Sequence, residues 1–193
     1  MACINCNMGS REGDHWLVVE DNACFARRIC AELREEGILV TLACSVAEAK
    51  AMLSTAFRVL LLDVELPDGT ARDVVAALSD LPCRPLVLVM SAEATPRQAF
   101  ELGQLGVREF VQKPTSAAAL VAAAERASAT PPNLEPWVRS SVGYLPFFEL
   151  EAQHRRQMIE EALGRTEQSK SGAARLLKVS RQTLQHLART IKA

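Results

Sequence analysis

The sequence predicts an α/β protein, in which a five-stranded parallel sheet carries helices on both faces and is followed by a small all-helical domain. Short apolar runs alternate with helical patterns over residues 16–127, as they do where parallel strands are buried on both faces. Residues 129–146 hold four of the nine prolines and show no periodicity, which is typical of a linker. The remaining residues, 147–193, have a helical pattern.

The five predicted strands are short and rich in aliphatic and β-branched residues, which fit a pleated sheet between two helical layers. Each ends where the apolar run gives way to polar or turn-forming residues. In chain order they are Trp16–Val19, Ile38–Leu42, Val59–Leu62, Leu86–Met90 and Val107–Gln112.

A helix is predicted after each strand, because apolar residues recur there three and four positions apart. Gly37 ends the first helix, and Ser45, a residue type that caps helices well, begins the second. In chain order the helices are Cys24–Glu36, Ser45–Ser54, Ala71–Leu78, Pro96–Leu105 and Ser116–Ala127. The predicted organisation is a tail at 1–14, the α/β domain at 15–128, the linker at 129–146 and the helical domain at 147–193.

Hydropathy and cysteine placement indicate a cytoplasmic protein. No stretch approaches the ~18 consecutive apolar residues of a membrane span, and the N-terminus has no basic start followed by an apolar run, so no secretory signal is expected. Cys3 and Cys6 could be half of a zinc site or a redox pair, but no second C-x-x-C pair is present, which favours a mobile tail. The other cysteines lie in apolar segments and are interpreted as small buried hydrophobes: Cys24, Cys30, Cys44 and Cys83.

Charge is distributed unevenly along the chain. Residues 151–193 hold nine basic and four acidic residues, a net charge of +5, whereas residues 1–150 hold 13 basic and 19 acidic residues, a net charge of −6. An acidic body joined to a basic end indicates two modules, the second of which faces a polyanion.

Reactive side chains follow four of the predicted strands. Glu20 and Asp21 follow the first strand, Asp63 the third, Ser91 the fourth and Lys113 the fifth. Because ligands bind at the carboxyl ends of parallel strands, these residues are expected to share one edge of the sheet. Any one of them alone could be an ordinary solvated strand end, but four together indicate a site.

The residue types at this edge indicate metal-assisted phosphoryl chemistry. Three crowded carboxylates repel one another unless a cation lies among them, and Mg²⁺ with its oxygen ligands fits Glu20, Asp21 and Asp63. With metal bound and Lys113 nearby, the edge would attract a phosphoryl group that a carboxylate oxygen attacks in line. The Ser91 hydroxyl could donate to a phosphoryl oxygen.

The α/β domain resembles the receiver domain of bacterial two-component response regulators, which has a flavodoxin-like (CheY-like) fold. The matching motifs are VVEDN (18–22), LLDVELPDG (61–69), VMSA (89–92) and FVQKP (110–114). The resemblance implies phosphorylation by a sensor histidine kinase in the presence of Mg²⁺. It also implies the following roles: phosphoacceptor Asp63; metal ligands Glu20, Asp21, Asp63 and the backbone carbonyl of Glu65; phosphoryl contacts Ser91 and Lys113; and Phe110 as the rotating aromatic. Phe110 alone could also be an ordinary core residue of an edge strand.

The helical domain is predicted to contain a helix-turn-helix. Its first helix carries a stripe interpreted as a pairing surface, namely Phe147, Leu150, His154, Met158 and Leu163. Ser171 is predicted to begin the next helix and Ser180 to cap the last. The stretch AARLLKVSRQTL (173–184) resembles the Fis-type domain that ends many response regulators of the nitrogen-regulation class, except that Lys178 stands where the turn usually has glycine.

This second resemblance implies a homodimer that binds double-stranded DNA at a pseudo-palindromic site. Arg181, at the start of the second helix of the motif, would read guanine, whose O6 and N7 match its guanidinium. Gln185 and His186 would contact bases or backbone. Phosphate contacts are expected from Ser169, Ser171, Lys178, Ser180 and Thr183.

The leading hypothesis is therefore a non-enzymatic, phosphorylation-controlled transcription regulator that does not insert into membranes. No Walker sequence G-x-x-x-x-G-K-S/T is present, so the architecture resembles the short RegA/PrrA-type regulators more than ATP-dependent activators. An adaptor whose C-terminal helices dimerise or bind protein remains an alternative. A small phosphatase using Asp63 is a weaker one, because Glu65 interrupts the D-x-D pattern of such enzymes.

Overall fold

The computed structural model describes residues 14–81, 83–93, 95–131 and 133–190. It divides into two compact units, with the division after residue 131. The Cys3 and Cys6 pair lies outside the described residues, as does the predicted tail except for Asp14. Among the described helices, none is both long and apolar enough to cross a membrane.

The first unit is built on a five-stranded parallel sheet, as predicted. The strands are β1 (His15–Val19), β2 (Leu39–Ala43), β3 (Val59–Asp63), β4 (Glu65–Leu66), β5 (Gly69–Thr70), β6 (Leu86–Ser91) and β7 (Glu109–Gln112). The sheet has the spatial order β2-β1-β3-β6-β7, and a separate two-stranded hairpin is formed by β4 and β5. Register pairs Val19 with Ala43 and Asp63 with Met90, so the strands end side by side at one edge.

Five helices cover the sheet on both faces, as the uninterrupted apolar strands predict. The helices are α1 (Ala23–Glu35), α2 (Val46–Met52), α3 (Ala71–Ala77), α4 (Pro96–Gln104) and α5 (Ala117–Ala129). In β3, Leu60 and Leu62 contribute to a core beneath α2, α3 and α4, whereas Val59 and Leu61 contribute to a second core beneath α1 and α5. All four residues are at most 1% exposed, so both faces of the strand are buried.

The β4–β5 hairpin, which the sequence pattern did not predict, fixes the loop that follows Asp63. Its two strands are only two residues long, too short to show periodicity. At its turn, the two Asp68 carboxylate oxygens accept hydrogen bonds from the backbone nitrogens of Val46 (2.7 Å) and Ala47 (2.9 Å). A carboxylate from a distant loop therefore caps the N-terminus of α2.

Asp68→Asn is expected to lower the melting temperature and to weaken its dependence on acid pH. The N–H groups of Ala47 and Val46 lower the pKa of Asp68, so its contribution is fully present above the ordinary aspartate pKa. The contribution is lost as pH falls through the lowered folded-state pKa. Thermal melts from neutral to acid pH measure this effect, with Glu35→Gln as a matched neutralisation on an exposed helix end. Parallel native and Asp68→Asn profiles would contradict the capping role.

The second unit is all-helical, with a small core of its own. The core contains Ile159, Ala162, Ala173, Ala174 and Leu184, each at most 4% exposed. Small residues here allow close approach of the helices. The helices are α6 (Glu135–Ser141), α7 (Phe147–Arg165), α8 (Lys170–Leu176) and α9 (Arg181–Thr190).

The helix α6 lies inside the predicted linker, for which the sequence pattern indicated no helix. The Asn133 side chain accepts a hydrogen bond from the Glu135 backbone nitrogen at 3.0 Å, and Pro136 stands in the first turn, where its missing N–H costs nothing. Arg139 pairs with Glu135 one turn earlier, at 2.5 Å. Local capping and pairing thus form a helix too short to show periodicity.

Two further details of the helical unit differ from expectation. Ser169, not Ser171, caps α8, since its hydroxyl accepts from the Gly172 backbone nitrogen at 3.2 Å. In α7 the core-facing residues are Ile159 and Ala162, whereas Phe147 and Met158 of the predicted stripe are 71% and 61% exposed. Leu163, the last residue of the stripe, packs against the core of the unit. The role of the stripe as a pairing surface stays a prediction.

Candidate functional site

The carboxyl ends of the central strands bring three predicted acidic residues together. Glu20 follows β1 directly, Asp21 comes next, and Asp63 is the last residue of β3. One carboxylate oxygen from each lies within 4.8 Å of the others. Distant parts of the sequence thus form one acidic cluster, because β1 and β3 are neighbours in the sheet.

Lys113, which follows β7, enters this cluster. Its Nζ donates to Glu20 Oε2 at 2.6 Å and to Asp63 Oδ2 at 2.7 Å. The three side chains are 15%, 1% and 16% exposed, in the order Lys113, Glu20, Asp63. The ammonium therefore bridges two carboxylates from separate strands in a site with little solvent, where electrostatic interactions are strong.

Burial dominates the electrostatics of Glu20. Desolvation raises the pKa of its carboxyl group, the Lys113 hydrogen bond opposes the rise, and the Asp63 charge adds to it. The Asn22 backbone nitrogen donates to Glu20 Oε1 at 3.3 Å. A nearby cation therefore favours the ionised form of Glu20. The cluster has the negative charge and the oxygen donors that suit a bound cation.

Asp63 and Ser91 are held by backbone hydrogen bonds. Asp63 Oδ1 accepts from the Val64 nitrogen at 2.8 Å, which orients the carboxylate as it leaves the strand. Ser91 is 7% exposed, and its carbonyl accepts a hydrogen bond from the Lys113 backbone nitrogen at 2.8 Å. The Ser91 hydroxyl accepts from the Glu93 nitrogen at 3.1 Å and keeps its own proton available to donate.

The other two residues predicted for this edge are Glu65 and Phe110. Glu65 is in β4, directly after the Asp63–Val64 step, and its side chain is exposed. Phe110 is in β7, at the edge of the sheet, opposite Val89 in register. It is half-buried and packs against the core beneath α2, α3 and α4.

Two residues near the site were not singled out from the sequence. Asn22 caps α1, because its Oδ1 accepts from the Cys24 and Phe25 nitrogens at 3.1 and 3.0 Å. An asparagine directly before an amphipathic stretch is a recognisable capping signal. The Phe25 ring centroid lies 4.7 Å from Lys113 Nζ. No local signal distinguishes Phe25 from other apolar residues of its helix.

The predicted DNA-contact residues cluster around α8, the following turn and α9. Ser180 caps α9, as predicted: its hydroxyl accepts from the Thr183 nitrogen at 3.0 Å and lies 2.7 Å from the Thr183 hydroxyl. Lys178 has φ +55°, in the left-handed region that favours glycine. Gln185 is half-buried, and the following residues are exposed: Ser169, Ser171, Lys178, Ser180, Arg181, Thr183 and His186.

Comparison with known proteins gives one family and several relatives. Residues 16–125 match the model of the response regulator receiver domain. The photosynthetic apparatus regulatory protein RegA of Rhodovulum sulfidophilum is 27% identical over 178 residues, which cover 89% of this chain and 88% of that protein. The acid tolerance regulatory protein ActR of Rhizobium meliloti is 29% identical over 108 residues, which cover 55% of this chain and 56% of that protein.

Solved structures share the fold. The non-phosphorylated HemR receiver domain of Leptospira biflexa is similar at 25% identity and a TM-score of 0.53, over 62% of this chain and 98% of that one. A response regulator from Burkholderia pseudomallei, solved with a phosphorylated aspartic acid, a calcium ion and citrate, is similar at 23% identity and a TM-score of 0.53. That similarity covers 89% of this chain and 96% of the other.

Proposed function

This chain belongs to the response regulator receiver domain family, and from that premise we propose that it is a phosphorylation-controlled regulator of transcription. Asp63 accepts a phosphoryl group from a sensor histidine kinase, and the modification controls DNA binding by α8 and α9. The Lys113 ammonium between Glu20 and Asp63, with Asp21 beside them, is the observation that carries the proposal.

Glu20, Asp21 and Asp63, with the backbone carbonyl of Glu65, are the proposed ligands of Mg²⁺. The oxygen-only donor set and the excess of carboxylates over ammonium support a hard divalent cation. When bound, such a cation neutralises charge on transferring phosphoryl oxygens.

The chain's own residues account for the transfer. A carboxylate oxygen of Asp63 attacks the phosphorus of phosphohistidine; the new O–P bond forms as the P–N bond breaks, and the electron pair remains on the imidazole nitrogen. Lys113, already within 2.7 Å of Asp63, moves with its positive charge to the phosphoryl oxygens. The product is an acyl phosphate on Asp63.

Ser91 and Phe110 form the proposed switch. A phosphoryl group on Asp63 offers acceptor oxygens to the Ser91 hydroxyl, which gives up its local bond with the Glu93 nitrogen. The Phe110 ring then turns into the space that Ser91 leaves, and the surface formed by α4, β7 and α5 changes. The half-buried position of Phe110 on the edge strand supports this role.

The basic C-terminal end supports a DNA-binding output. Arg181, exposed at the first position of α9, would enter the major groove and read guanine. Gln185 and His186 lie one turn later. The remaining exposed polar residues around the turn would contact phosphates: Ser169, Ser171, Lys178, Ser180 and Thr183.

Gel-shift and sizing assays with and without acetyl phosphate and Mg²⁺ test the proposal. We expect phosphorylation to change affinity for duplex DNA, and a homodimer to bind a pseudo-palindromic site. Binding to random-sequence duplex should weaken steeply as salt rises, because several phosphates are contacted. Absence of duplex binding at low salt would favour an adaptor whose helices bind protein.

Lys178→Gly is expected to stabilise the helical unit while weakening its DNA binding. Glycine relieves the strain of the left-handed conformation, and this gain exceeds the entropic cost of its greater freedom in the unfolded chain. The free energy of unfolding should therefore rise by about 0.5 kcal/mol. Loss of one phosphate contact should reduce the slope of log affinity against log salt by about one. Denaturant unfolding and salt-dependent binding measure the two effects, and Lys178→Arg, which keeps both charge and strain, should alter neither. If the slope of log affinity against log salt were unchanged in Lys178→Gly, Lys178 would not contact DNA.

A further inference from the structure

One face of α1 contacts the segment that carries Lys113 at three successive points. Phe25, Arg28 and Glu32 are three and four positions apart, so they line one side of the helix. Each touches a different part of residues 113–117, which run from the end of β7 to the first residue of α5.

Phe25 contacts the side chain of Lys113. The ring centroid lies 4.7 Å from Nζ, within the range of a cation–π interaction, and the ring packs against the core beneath α1 and α5. Lys113 reaches the acidic cluster on a stem with four rotatable bonds, and a compact ammonium has no planar geometry to restrict its direction. The aromatic ring therefore limits where this ammonium can go.

Arg28 and Glu32 contact the backbone on the far side of Lys113. One Arg28 nitrogen donates to the Thr115 carbonyl at 3.0 Å, and Glu32 Oε2 accepts from the Ala117 nitrogen at 3.0 Å. The two side chains also pair with each other at 2.7 Å, and the Arg28 guanidinium lies 5.2 Å from the Phe25 ring centroid. The three residues are thus mutually connected as well as connected to the loop.

We propose that Phe25, Arg28 and Glu32 form a positioning network that aims Lys113 at Asp63 and so sets the rate of phosphoryl uptake. None of the three touches the acceptor in the contacts described above; they act through Lys113 and its loop. The network rests on the proposed function of Asp63. It predicts that the geometry of Lys113 depends on an aromatic ring at position 25, not merely on an apolar one.

Two measurements on the full chain test the network. The first is the NMR shift of the Lys113 ε-CH₂ protons, recorded without metal and assigned with Lys113→Gln; an adjacent ring face moves these protons upfield of those of Lys50. The second is the rate of phosphorylation by acetyl phosphate with saturating Mg²⁺. Variants are Phe25→Leu and Phe25→Tyr, with Phe100→Leu as control, since Phe100 is 67% exposed in α4.

Phe25→Leu is expected to abolish the upfield shift and to lower the rate about fivefold, the scale of one cation–π contact. Phe25→Tyr, which keeps an aromatic ring, should retain the upfield shift and the native rate. Phe100→Leu should change neither the shift nor the rate. Arg28→Ala should lower the rate without abolishing the shift, whereas Arg27→Ala, one position along, should be neutral.

Some results would overturn the network. One is that the Lys113 ε-CH₂ protons of the native protein and of Phe25→Leu have the same NMR shift. The other is that Phe25→Leu loses the upfield shift and melts as the native protein does, yet is phosphorylated at the native rate. A native chain that takes up no phosphoryl group would instead overturn the proposed function. The shift measurement separates the two failures, because it requires no phosphoryl group.

Discussion

Asp63→Asn is expected to abolish phosphoryl uptake from acetyl phosphate, the largest effect expected of any single substitution in the chain. The amide cannot act as the attacking oxygen nucleophile, while its size and the hydrogen bond from the Val64 nitrogen are retained. Intact-protein mass spectrometry under conditions that preserve acyl phosphates measures the loss directly. The DNA affinity of Asp63→Asn should no longer respond to the phosphodonor.

Glu65→Gln is the matched control for this loss. It neutralises an exposed carboxylate in β4, two residues after Asp63, and leaves the backbone carbonyl that is proposed to hold metal. Uptake should persist in this variant. Equal phosphorylation of native and Asp63→Asn proteins would place the acceptor elsewhere and refute the assignment.

Lys113→Met is expected to slow phosphoryl uptake roughly 10- to 150-fold, the value of one hydrogen bond to a charged group, about 1.5–3 kcal/mol. Without metal, this variant should also melt at a lower temperature at neutral pH. Removal of the ammonium leaves the buried Glu20 carboxylate facing Asp63 without its compensating charge. Phosphorylation kinetics and thermal melts measure the two effects.

The stability defect of Lys113→Met should be repaired by added Mg²⁺ and by lower pH. Burial raises the pKa of Glu20, so the folded state binds its proton more readily than the unfolded state, and stability falls as pH rises through the raised folded-state pKa. Loss of the lysine removes a contact that opposes this rise. Lys50→Met, an exposed lysine of α2, serves as control. If Mg²⁺ left the melting temperature of Lys113→Met unchanged, the acidic cluster would not be the metal site.

The sequence predicted the sheet, its five covering helices and the carboxyl-end cluster, and the structure agrees on all three. Wholly apolar strands such as Val59–Leu62 are stable only between two helical layers, so the local pattern implied the layers. Parallel strands also carry their C-terminal residues to a common edge. Glu20, Asp63 and Lys113 could therefore be assigned to one site without any knowledge of distances.

The sequence was less informative where short elements and caps decide the conformation. The hairpin at Glu65–Thr70 and the helix Glu135–Ser141 depend on individual side-chain contacts, such as those of Asp68 with α2 and of Asn133 with Glu135. Neither element is long enough to show periodicity. Ser169, and not the predicted Ser171, caps α8. Two serines only two positions apart have equal capping propensity, and only the backbone geometry selects between them.

What the sequence determined by itself was the chemistry: which residue types end each strand, and hence an acidic edge that suits a metal and a phosphoryl group. Only the tertiary structure decided that Lys113 bridges Glu20 to Asp63, and that Phe25 lies against Lys113. The physical reason is that hydrophobic periodicity specifies which face of an element is buried. The partners that a side chain meets across 50 or 93 residues depend on how the faces pack together.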